Sequence, residues 1–354
     1  MTFLLYGANG YTGQLITEYA AQYKVNPILA GRSENKLRPM AEKYGYEFLT
    51  FDLADTPALE AALQEVDVVL HAAGPFIHTA RPMMEACIRT QTHYLDITGE
   101  IPVFELGHRM DEQARSAGIM ILPGVGFDVV PSDCLALHLR NQLRDATHLK
   151  LAFTNRGGGI SRGTALTMVE NLRQGGAVRK EGKIIKKPLG HKSKTVPFPG
   201  GDYFTMTIPW GDVATAYYST GIPNIEVYTG IHPSRYKYFR WQKYFNWLLR
   251  SSPVQWLAKN WVNRKISGPT RQQTQQAQSL LWGQVSNKQD ETRQARMSAP
   301  ESYKLTALTA LLITRKVLEG KAPSGYQTPA RAYGPDLILE IDGVSRSDIY
   351  TDAR

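Results

Sequence analysis

The sequence predicts an α/β protein, with a doubly wound parallel sheet in its N-terminal part and a second, α+β domain after it. Short apolar runs alternate with amphipathic helical stretches through residues 1–135, and closely spaced glycines follow the first of these runs. Strands that alternate with helices of this length form βαβ units, whose right-handed crossovers give a doubly wound sheet. The N-terminal sheet is therefore expected to be of the Rossmann type.

The composition of the 354-residue chain is that of a globular protein, with 42% hydrophobic and 21% charged residues. Its length predicts two domains, which we place at residues 1–135 and 136–335. Residues 336–354 are expected to form a C-terminal strand and tail, and one option is that this strand joins the sheet of the second domain. Two cysteines exclude a disulfide scaffold and favour a reducing compartment. No apolar run is long enough to span a membrane, so we expect a cytoplasmic protein.

The elements of the first domain follow from periodicity. Strands are predicted at Thr2–Tyr6, Pro27–Ala30, Glu47–Phe51, Asp67–His71, Tyr94–Ile97 and Ile119–Leu122. Helices are predicted at Gly13–Tyr23, Lys36–Tyr44, Pro57–Val66, Arg81–Thr90 and Val103–Ala117.

The pattern changes after Leu143, where glycine-rich loops separate strands and helices irregularly. Strands are predicted at Leu149–Thr154, Tyr203–Ile208, Ile225–Gly230 and Leu337–Ile341. Helical patterns occupy Thr164–Gln174, Arg235–Arg264 and Ser302–Glu319, and Pro253 divides the second of them into two predicted helices. We expect an antiparallel sheet with helices on one face.

The first strand runs directly into the sequence GANGYTG, in which Gly7, Gly10 and Gly13 have the spacing GxxGxxG. Such a turn needs one glycine for the sharp bend, one where the backbone approaches a pyrophosphate, and one where the helix packs on the strand. The amides of the following helix then face the phosphates. This turn predicts a dinucleotide site.

The end of the second strand indicates which dinucleotide binds. An enzyme that uses NAD carries an acidic residue there for the ribose hydroxyls, whereas this chain has Arg32 and Ser33. A guanidinium pairs with a 2′-phosphate in charge and in planar geometry, so we predict NADP(H). Asp52, after the third strand, is placed to meet the adenine. The small residues after the fourth strand let the ribose and nicotinamide approach the backbone, and they are Ala72, Ala73, Gly74 and Pro75.

The motifs GANGYTG, AGRS, HAAGPF, YLDITGE and PGVGFDVVPSD follow one another in this order. Together they resemble the saccharopine dehydrogenase-like oxidoreductase family, which includes the trans-acting enoyl reductases. The resemblance implies an NADP-dependent oxidoreductase with 2′-phosphate contact at Arg32. It maps the pyrophosphate loop to Gly7, Ala8, Asn9, Gly10, Tyr11, Thr12 and Gly13. Enzymes that form saccharopine carry a DPG-type motif where this chain has GFDVVPSD, which argues against an amino-acid substrate.

Candidate catalytic residues lie after the fifth and sixth strands, because ligands of open α/β sheets bind at the carboxyl ends of the strands. Asp128 is the favoured polar contact to cofactor or substrate, and Tyr94 and Asp96 are further candidates. Tyr94 and Asp96 lie on one face of a strand, so a buried hydrogen-bonded pair is the alternative. Ser132 and Asp133 are interpreted as helix caps. No sequence motif indicates a metal site.

Residues 235–265 combine eight Lys or Arg residues and nine aromatic rings with no acidic residue. They lie in a strongly basic part of the chain, since residues 151–290 hold 20 basic and 6 acidic side chains. Three interpretations stay open. The segment is an interfacial membrane anchor, a single-stranded nucleic-acid site, or a helical hairpin whose rings pack on the second domain. Nucleic acid is the least favoured.

The functional prediction is an NADP(H)-dependent oxidoreductase that reduces a C=C or C=O group of a hydrophobic, acyl-, polyketide- or lipid-like substrate. One alternative is an amino-acid dehydrogenase of the saccharopine type, with Arg156 and Arg162 as carboxylate clamps. The other is a non-catalytic NADP-binding protein that docks on membranes. Expected partners are the small hydrophobic substrate, an anionic membrane surface at 235–265 and a second copy of the chain. A membrane contact would place the protein on the inner face of a membrane.

Overall fold

The computed structural model describes residues 2–171, 175–238, 251–265, 274 and 276–351. The chain divides into two compact units, one formed by Met1–Val130 with Tyr303–Ala332 and the other by Pro131–Ser302 with Tyr333–Arg354. The first boundary lies within five residues of the predicted one. The predicted second domain, in contrast, included residues 303–332, which belong to the first unit.

The strands of the described residues form two sheets. They are β1 (Thr2–Tyr6), β2 (Asn26–Gly31), β3 (Phe48–Thr50), β4 (Val68–His71), β5 (His93–Asp96), β6 (Met120–Leu122), β7 (His148–Arg156), β8 (Gly176–Lys180), β9 (Lys183–Lys187), β10 (Ser193–Phe198), β11 (Gly201–Thr207), β12 (Asn224–Gly230), β13 (Gln278–Ser286), β14 (Thr292–Pro300), β15 (Gly325–Tyr326) and β16 (Ser345–Arg346).

The described residues also form α-helices. They are α1 (Tyr11–Tyr19), α2 (Glu34–Tyr44), α3 (Thr56–Gln64), α4 (Phe76–Thr90), α5 (Ile101–Arg109), α6 (Asp111–Ser116), α7 (Val130–Gln142), α8 (Arg162–Asn171), α9 (Asp212–Thr220), α10 (Ser252–Lys265), α11 (Ser302–Leu318) and α12 (Pro329–Tyr333). No helix in the described ranges has the length and apolar character that a membrane span needs.

The first sheet is parallel throughout, in the order β15-β6-β5-β4-β1-β2-β3. The order reverses on either side of β1, as in a doubly wound fold, which confirms the predicted Rossmann-type class. Its central strands are buried on both faces, and this explains their continuous apolar sequences. The carboxyl ends of β1, β2, β4 and β5 therefore meet at one edge.

Helix α11 and strand β15 bring residues 303–332 into the first unit. Every residue from 305 to 314 is buried, so the helix has no polar face to turn to water. Thr309 Oγ1 donates to the Val125 carbonyl at 2.8 Å, and the Phe127 amide donates to Thr306 Oγ1 at 3.0 Å. β15 pairs with β6 through Tyr326 opposite Ile121. These contacts join segments almost 200 residues apart, which periodicity does not reveal.

The second unit contains a nine-stranded sheet with a main path of β10-β11-β12-β7-β13-β14-β16. The antiparallel expectation is wrong at one place, because β7 and β12 run parallel. The predicted strand Leu337–Ile341 is also wrong. Leu337–Glu340 is a 3₁₀ helix in which Leu337 and Ile338 are buried in succession, so its apolar residues do not alternate as strand residues do. The C-terminal strand is instead β16, which pairs with β14.

The basic aromatic stretch is described in two parts. Residues 233–238 are helical, and α10 covers the C-terminal part of the predicted helical stretch Arg235–Arg264. Trp241 and Trp247 lie outside the described residues.

Candidate functional site

The glycine turn after β1 has a backbone that only glycine accommodates easily. Gly7 has a φ of +91°, and a Cβ there would lie 2.8 Å from backbone atoms of Ala72 and Ala73. Its amide donates to the Ala30 carbonyl at 2.8 Å, as does that of Ala8 at 3.2 Å. The turn is thereby held against both β2 and the loop that follows β4.

Gly10 and Gly13 have the other two roles expected of the motif. Gly10 is exposed and is the N-cap of α1, with no side-chain hydrogen bond capping the helix. A Cβ on Gly13 would lie 2.4 Å from the Gly7 carbonyl oxygen, so this glycine lets the helix pack on the turn. The intervening loop residues are Asn9, half-buried Tyr11 and half-buried Thr12. A helix N-terminus without a side-chain cap fits a bound phosphate.

Arg32 and Asp52 lie together on the neighbouring strand ends. Arg32 Nη1 is 3.8 Å from Asp52 Oδ2, and the two side chains are 77% and 54% exposed. Ser33 is the N-cap of α2 and makes no capping bond with its side chain. The Arg32 guanidinium is therefore only loosely held. Arg32 follows Gly31, which lies close to the glycine turn, since a Cβ on Gly31 would be 3.1 Å from Asn9 Oδ1.

The small residues after β4 complete this edge. The Ala72 amide donates to the Tyr6 carbonyl at 2.7 Å, and Ala73 lies against Gly7. Gly74 is exposed, and its bond to Pro75 is cis. The structure thus brings all the predicted cofactor residues to the carboxyl ends of β1 to β4. Their backbones form a cradle that side chains would fill, so the residues present fit a dinucleotide.

Glu100 is a residue of this edge that the sequence analysis did not select. Its buried carboxylate accepts the Phe76 amide at Oε1, 2.9 Å away, and the Ile77 amide at Oε2, 2.8 Å away. A carboxylate is favoured at a helix N-terminus, and this one extends α4 five residues beyond the predicted start at Arg81. The acceptor is 24 residues away along the chain, so no local capping signal reveals it.

Asp128 lies beside Glu100, over the loop after β5. A Cβ on Gly99 would be 2.4 Å from Asp128 Oδ2, so a side chain at position 99 would displace the carboxyl group. Burial, and to a lesser extent the Glu100 carboxylate, raise the pKa of Asp128 to about 7. A carboxyl group that titrates near neutral pH at a ligand-binding edge is suited to transferring a proton.

Tyr94 and Asp96 form a buried hydrogen-bonded pair, which was the alternative to a catalytic role for them. The Tyr94 hydroxyl donates to Asp96 Oδ2 at 2.6 Å, and Oδ1 accepts the amides of Thr98 at 2.9 Å and Gly124 at 2.8 Å. Both side chains are fully buried. Burial raises the pKa of Asp96 to about 7 even though these three donors favour its ionised form. The pair connects the loops after β5 and β6, and a catalytic role for it stays a prediction.

The other polar candidates contact neighbouring protein groups, as residues with a structural role do. His71 is buried, its Nε2 lies 2.9 Å from Thr79 Oγ1, and burial lowers its pKa to about 3, so the ring is neutral. In the second unit, Asp133 lies within the first turn of α7 and accepts a hydrogen bond from Ser219, as a structural residue would. Arg156 lies 3.4 Å from the Tyr203 hydroxyl, also within the second unit.

Comparison with known proteins agrees with the motifs. Residues 3–122 match the family described as the saccharopine dehydrogenase NADP binding domain. Over 160 residues the chain is 30% identical to the saccharopine dehydrogenase-like oxidoreductases of mouse and human, covering 40% of this chain and 37% of theirs. Over 163 residues it is 32% identical to a trans-acting enoyl reductase of Mycobacterium ulcerans, covering 43% and 38%. The matches span less than half the length of these relatives.

Similarity to a solved structure extends over both units. The apo histidine-tagged saccharopine dehydrogenase (L-Glu forming) from Saccharomyces cerevisiae aligns with 99% of this chain and all of its own, with a TM-score of 0.68 and 14% identity. This similarity concerns the fold alone. Residues 3–122 thus match a saccharopine dehydrogenase NADP-binding domain, which agrees with the predicted family resemblance and confirms the prediction of NADP(H) as cofactor.

Proposed function

We propose that this oxidoreductase uses NADPH to reduce a C=C or C=O group of a small hydrophobic substrate, with Asp128 as the proton donor. One observation carries the proposal. A dinucleotide-binding turn and a carboxyl group with a pKa of about 7 lie at the same edge of the first sheet. They are connected through Glu100, which binds the amides of α4 directly after the cofactor loop and also raises the pKa of Asp128.

The reduction needs one hydride and one proton. Bound NADPH supplies the hydride from its nicotinamide ring. Asp128 is partly protonated at neutral pH, so its carboxyl can give a proton to the substrate carbon or oxygen that becomes electron-rich. The substrate would gain two electrons and two hydrogen atoms in this reaction, with NADP⁺ as the oxidised product, and the Asp128 carboxylate would regain its proton from water.

The substrate class is supported by the relatives and by one motif. An enoyl group is a C=C bond next to an acyl carbonyl, and one relative is a trans-acting enoyl reductase. The sequence GFDVVPSD stands where saccharopine-forming enzymes carry a DPG-type motif, which speaks against an amino acid. An amino-acid substrate would need a cation for its carboxylate, and Arg156, one of the two arginines considered for that role, is directed to Tyr203.

The test follows NADPH consumption by its ultraviolet absorbance with three substrate groups, namely enoyl thioesters of increasing chain length, hydrophobic ketones, and keto acids with amines. We expect turnover in the first or second group, increasing with chain length. Asp128→Asn should keep its affinity for NADPH and lose about 10²- to 10⁴-fold in kcat. Asp290→Asn is the matched control, because Asp290 lies in an exposed turn of the second unit.

Turnover confined to keto acids with amines would refute the substrate class and favour the amino-acid alternative. NADPH binding without turnover of any substrate would favour the non-catalytic alternative. An Asp128→Asn variant as active as the wild type would refute Asp128 as the proton donor.

A further inference from the structure

Helix α10 of the second unit turns its largest apolar side chains toward solvent. Trp256, Leu257 and Trp261 are 64%, 60% and 60% exposed, whereas Gln255 and Val262 on the opposite side are buried. At 100° per residue the three exposed side chains fall within an arc of about 140°. The same arc contains Asn260 and Arg264, so the helix turns an amphipathic face outward, whereas the usual surface helix buries its largest apolar side chains.

The packing of α10 within the unit uses a different face. Ala258 and Val262 form a small apolar cluster with Ala165 and Val169 of α8. Among the described residues this cluster includes neither Trp256 nor Trp261, and both rings are mostly exposed, which speaks against the packed-hairpin interpretation for these two residues. Two large exposed rings on one helix instead indicate a surface that meets another apolar phase.

The charges around this face are basic. Arg264 and Lys265 are exposed at the C-terminal end of α10, and the segment 235–265 contains no acidic residue. Tryptophans flanked by lysine and arginine suit the boundary of an anionic bilayer, where the rings lie at headgroup depth and the cations meet lipid phosphate. We propose that α10 is an interfacial helix that seats the protein on membranes rich in anionic phospholipid.

Other occupants fit this face less well. A second copy of the chain would pair this basic surface with an equally basic one, since a two-fold interface pairs a surface with itself and residues 235–265 contain no acidic residue. Single-stranded nucleic acid binds in a basic groove in which successive bases stack on rings. Here the rings lie on a convex helix, with Leu257 exposed beside them. The proposal is independent of the reaction catalysed.

The test measures co-sedimentation of the full chain with vesicles of phosphatidylcholine alone or mixed with phosphatidylserine, at increasing salt. We expect binding to the anionic vesicles that weakens with salt and persists in part. Arg264→Gln with Lys265→Gln should lower the low-salt partition coefficient about 25-fold, at about fivefold per charge. Trp256→Ser with Trp261→Ser should abolish the salt-resistant part, and its melting temperature should equal that of the wild type because both rings are exposed.

Two matched variants control for unspecific losses. Lys36→Gln with Lys288→Gln removes two exposed cations elsewhere, and Leu49→Ser with Leu339→Ser removes two exposed leucines. Both should bind vesicles as the wild type does.

A further variant, Trp256→Phe with Trp261→Phe, keeps the apolar bulk of α10. In the wild type, lipids with brominated chains should quench tryptophan emission, and most of this quenching should disappear in the phenylalanine variant. The proposal is overturned if the wild type ignores anionic vesicles, or if the serine variant binds them unchanged. It is also overturned if the serine change converts a dimer to a monomer in lipid-free sedimentation, or if the chain prefers an oligonucleotide to the vesicles.

Discussion

Replacing Arg32 with alanine should lower the affinity for NADPH and leave the affinity for NADH almost unchanged. The guanidinium is 77% exposed, and its one ion pair described by the structure is with Asp52, 3.8 Å away and itself 54% exposed. An exposed ion pair contributes at most about 1 kcal/mol to stability, so the variant should fold as the wild type does. Its effect should therefore fall on the cofactor.

The magnitude follows from the bond that is lost. A hydrogen bond to a charged group is worth about 1.5–3 kcal/mol, which corresponds to an increase of about 10- to 150-fold in the Kd for NADPH. NADH carries a hydroxyl in place of the 2′-phosphate and does not form this bond. Arg32→Lys should give an intermediate loss, because it keeps the charge and loses the planar pair of donors.

Isothermal titration calorimetry with both cofactors measures these changes directly. Arg38→Ala is the matched control, since it removes another exposed arginine, whose ion pair is with Glu34 on the same helix. It should leave the affinities for both cofactors unchanged. An equal loss for NADPH and NADH in Arg32→Ala would show that Arg32 supports the site as a whole and does not read the 2′-phosphate.

Three further predictions concern the glycine turn and the carboxyl groups. Gly10→Val should fold and lose NADPH binding, because a Cβ there would lie 3.2 Å from the Gly7 carbonyl oxygen, a tight contact that a shift of a few tenths of an ångström relieves, while the side chain fills the phosphate space. Gly13→Val should unfold, since a Cβ there would lie 2.4 Å from the same backbone oxygen. Calorimetry and thermal melts separate the two outcomes, and a Gly10→Val variant that binds NADPH normally would refute the turn as the phosphate site. Glu100→Gln should lower the melting temperature, because the carboxylate caps α4. It should also move the alkaline loss of activity to lower pH, because the carboxylate raises the pKa of Asp128. An unchanged pH profile would contradict this second effect. The folded-state pKa of Asp128 lies above its unfolded value of 3.8, so the stabilisation by its protonated form should be fully present below pH 4 and lost as pH rises to about 7. Denaturant titrations of Asp128→Asn should lack this part of the pH dependence of the unfolding free energy. A pH dependence identical to that of the wild type would count against the raised pKa.

The first unit was predictable because its signals are local. A buried parallel strand is a short apolar run, a glycine turn follows β1, and each helix returns the chain to the next strand. The predicted strands from Thr2–Tyr6 to Ile119–Leu122 agree with β1 to β6 to within two residues at each end. β15 was missed because two residues, Gly325 and Tyr326, give no periodicity.

The second unit was predicted less completely, for a reason visible in its central hairpin. β14 has the sequence TRQARMSAP, and its inward side chains include Ala295, Met297 and Ala299. Small inward residues between polar outward ones leave a weak hydrophobic alternation. β13, which carries the buried Trp282, was not predicted either, although it pairs with both β7 and β14. Pairing between distant segments specifies these strands more than local propensity does.

The candidate site shows the same limit. The glycines and Arg32 are recognisable in the sequence because their spacing from a strand end determines their role. The role of Glu100 depends on the amides of Phe76 and Ile77, and the raised pKa of Asp128 depends on burial and on Glu100. Such properties arise only when distant segments meet, so the sequence provided the candidate Asp128 without the reason for its chemistry.

Three carboxyl groups lie near the carboxyl edge of the first sheet, and their hydrogen bonds determine which of them can serve catalysis. Asp96 accepts the Tyr94 hydroxyl and two backbone amides, and Glu100 accepts two amides of α4. Transferring a proton would require either group to exchange bonds that hold the loops together. In the part of the chain that the structure describes, the Asp128 carboxyl accepts no hydrogen bond, and part of the residue's surface stays accessible. Asp128 can therefore gain or lose a proton without exchanging a hydrogen bond, while burial, and to a lesser extent the Glu100 carboxylate, raise its pKa to about 7.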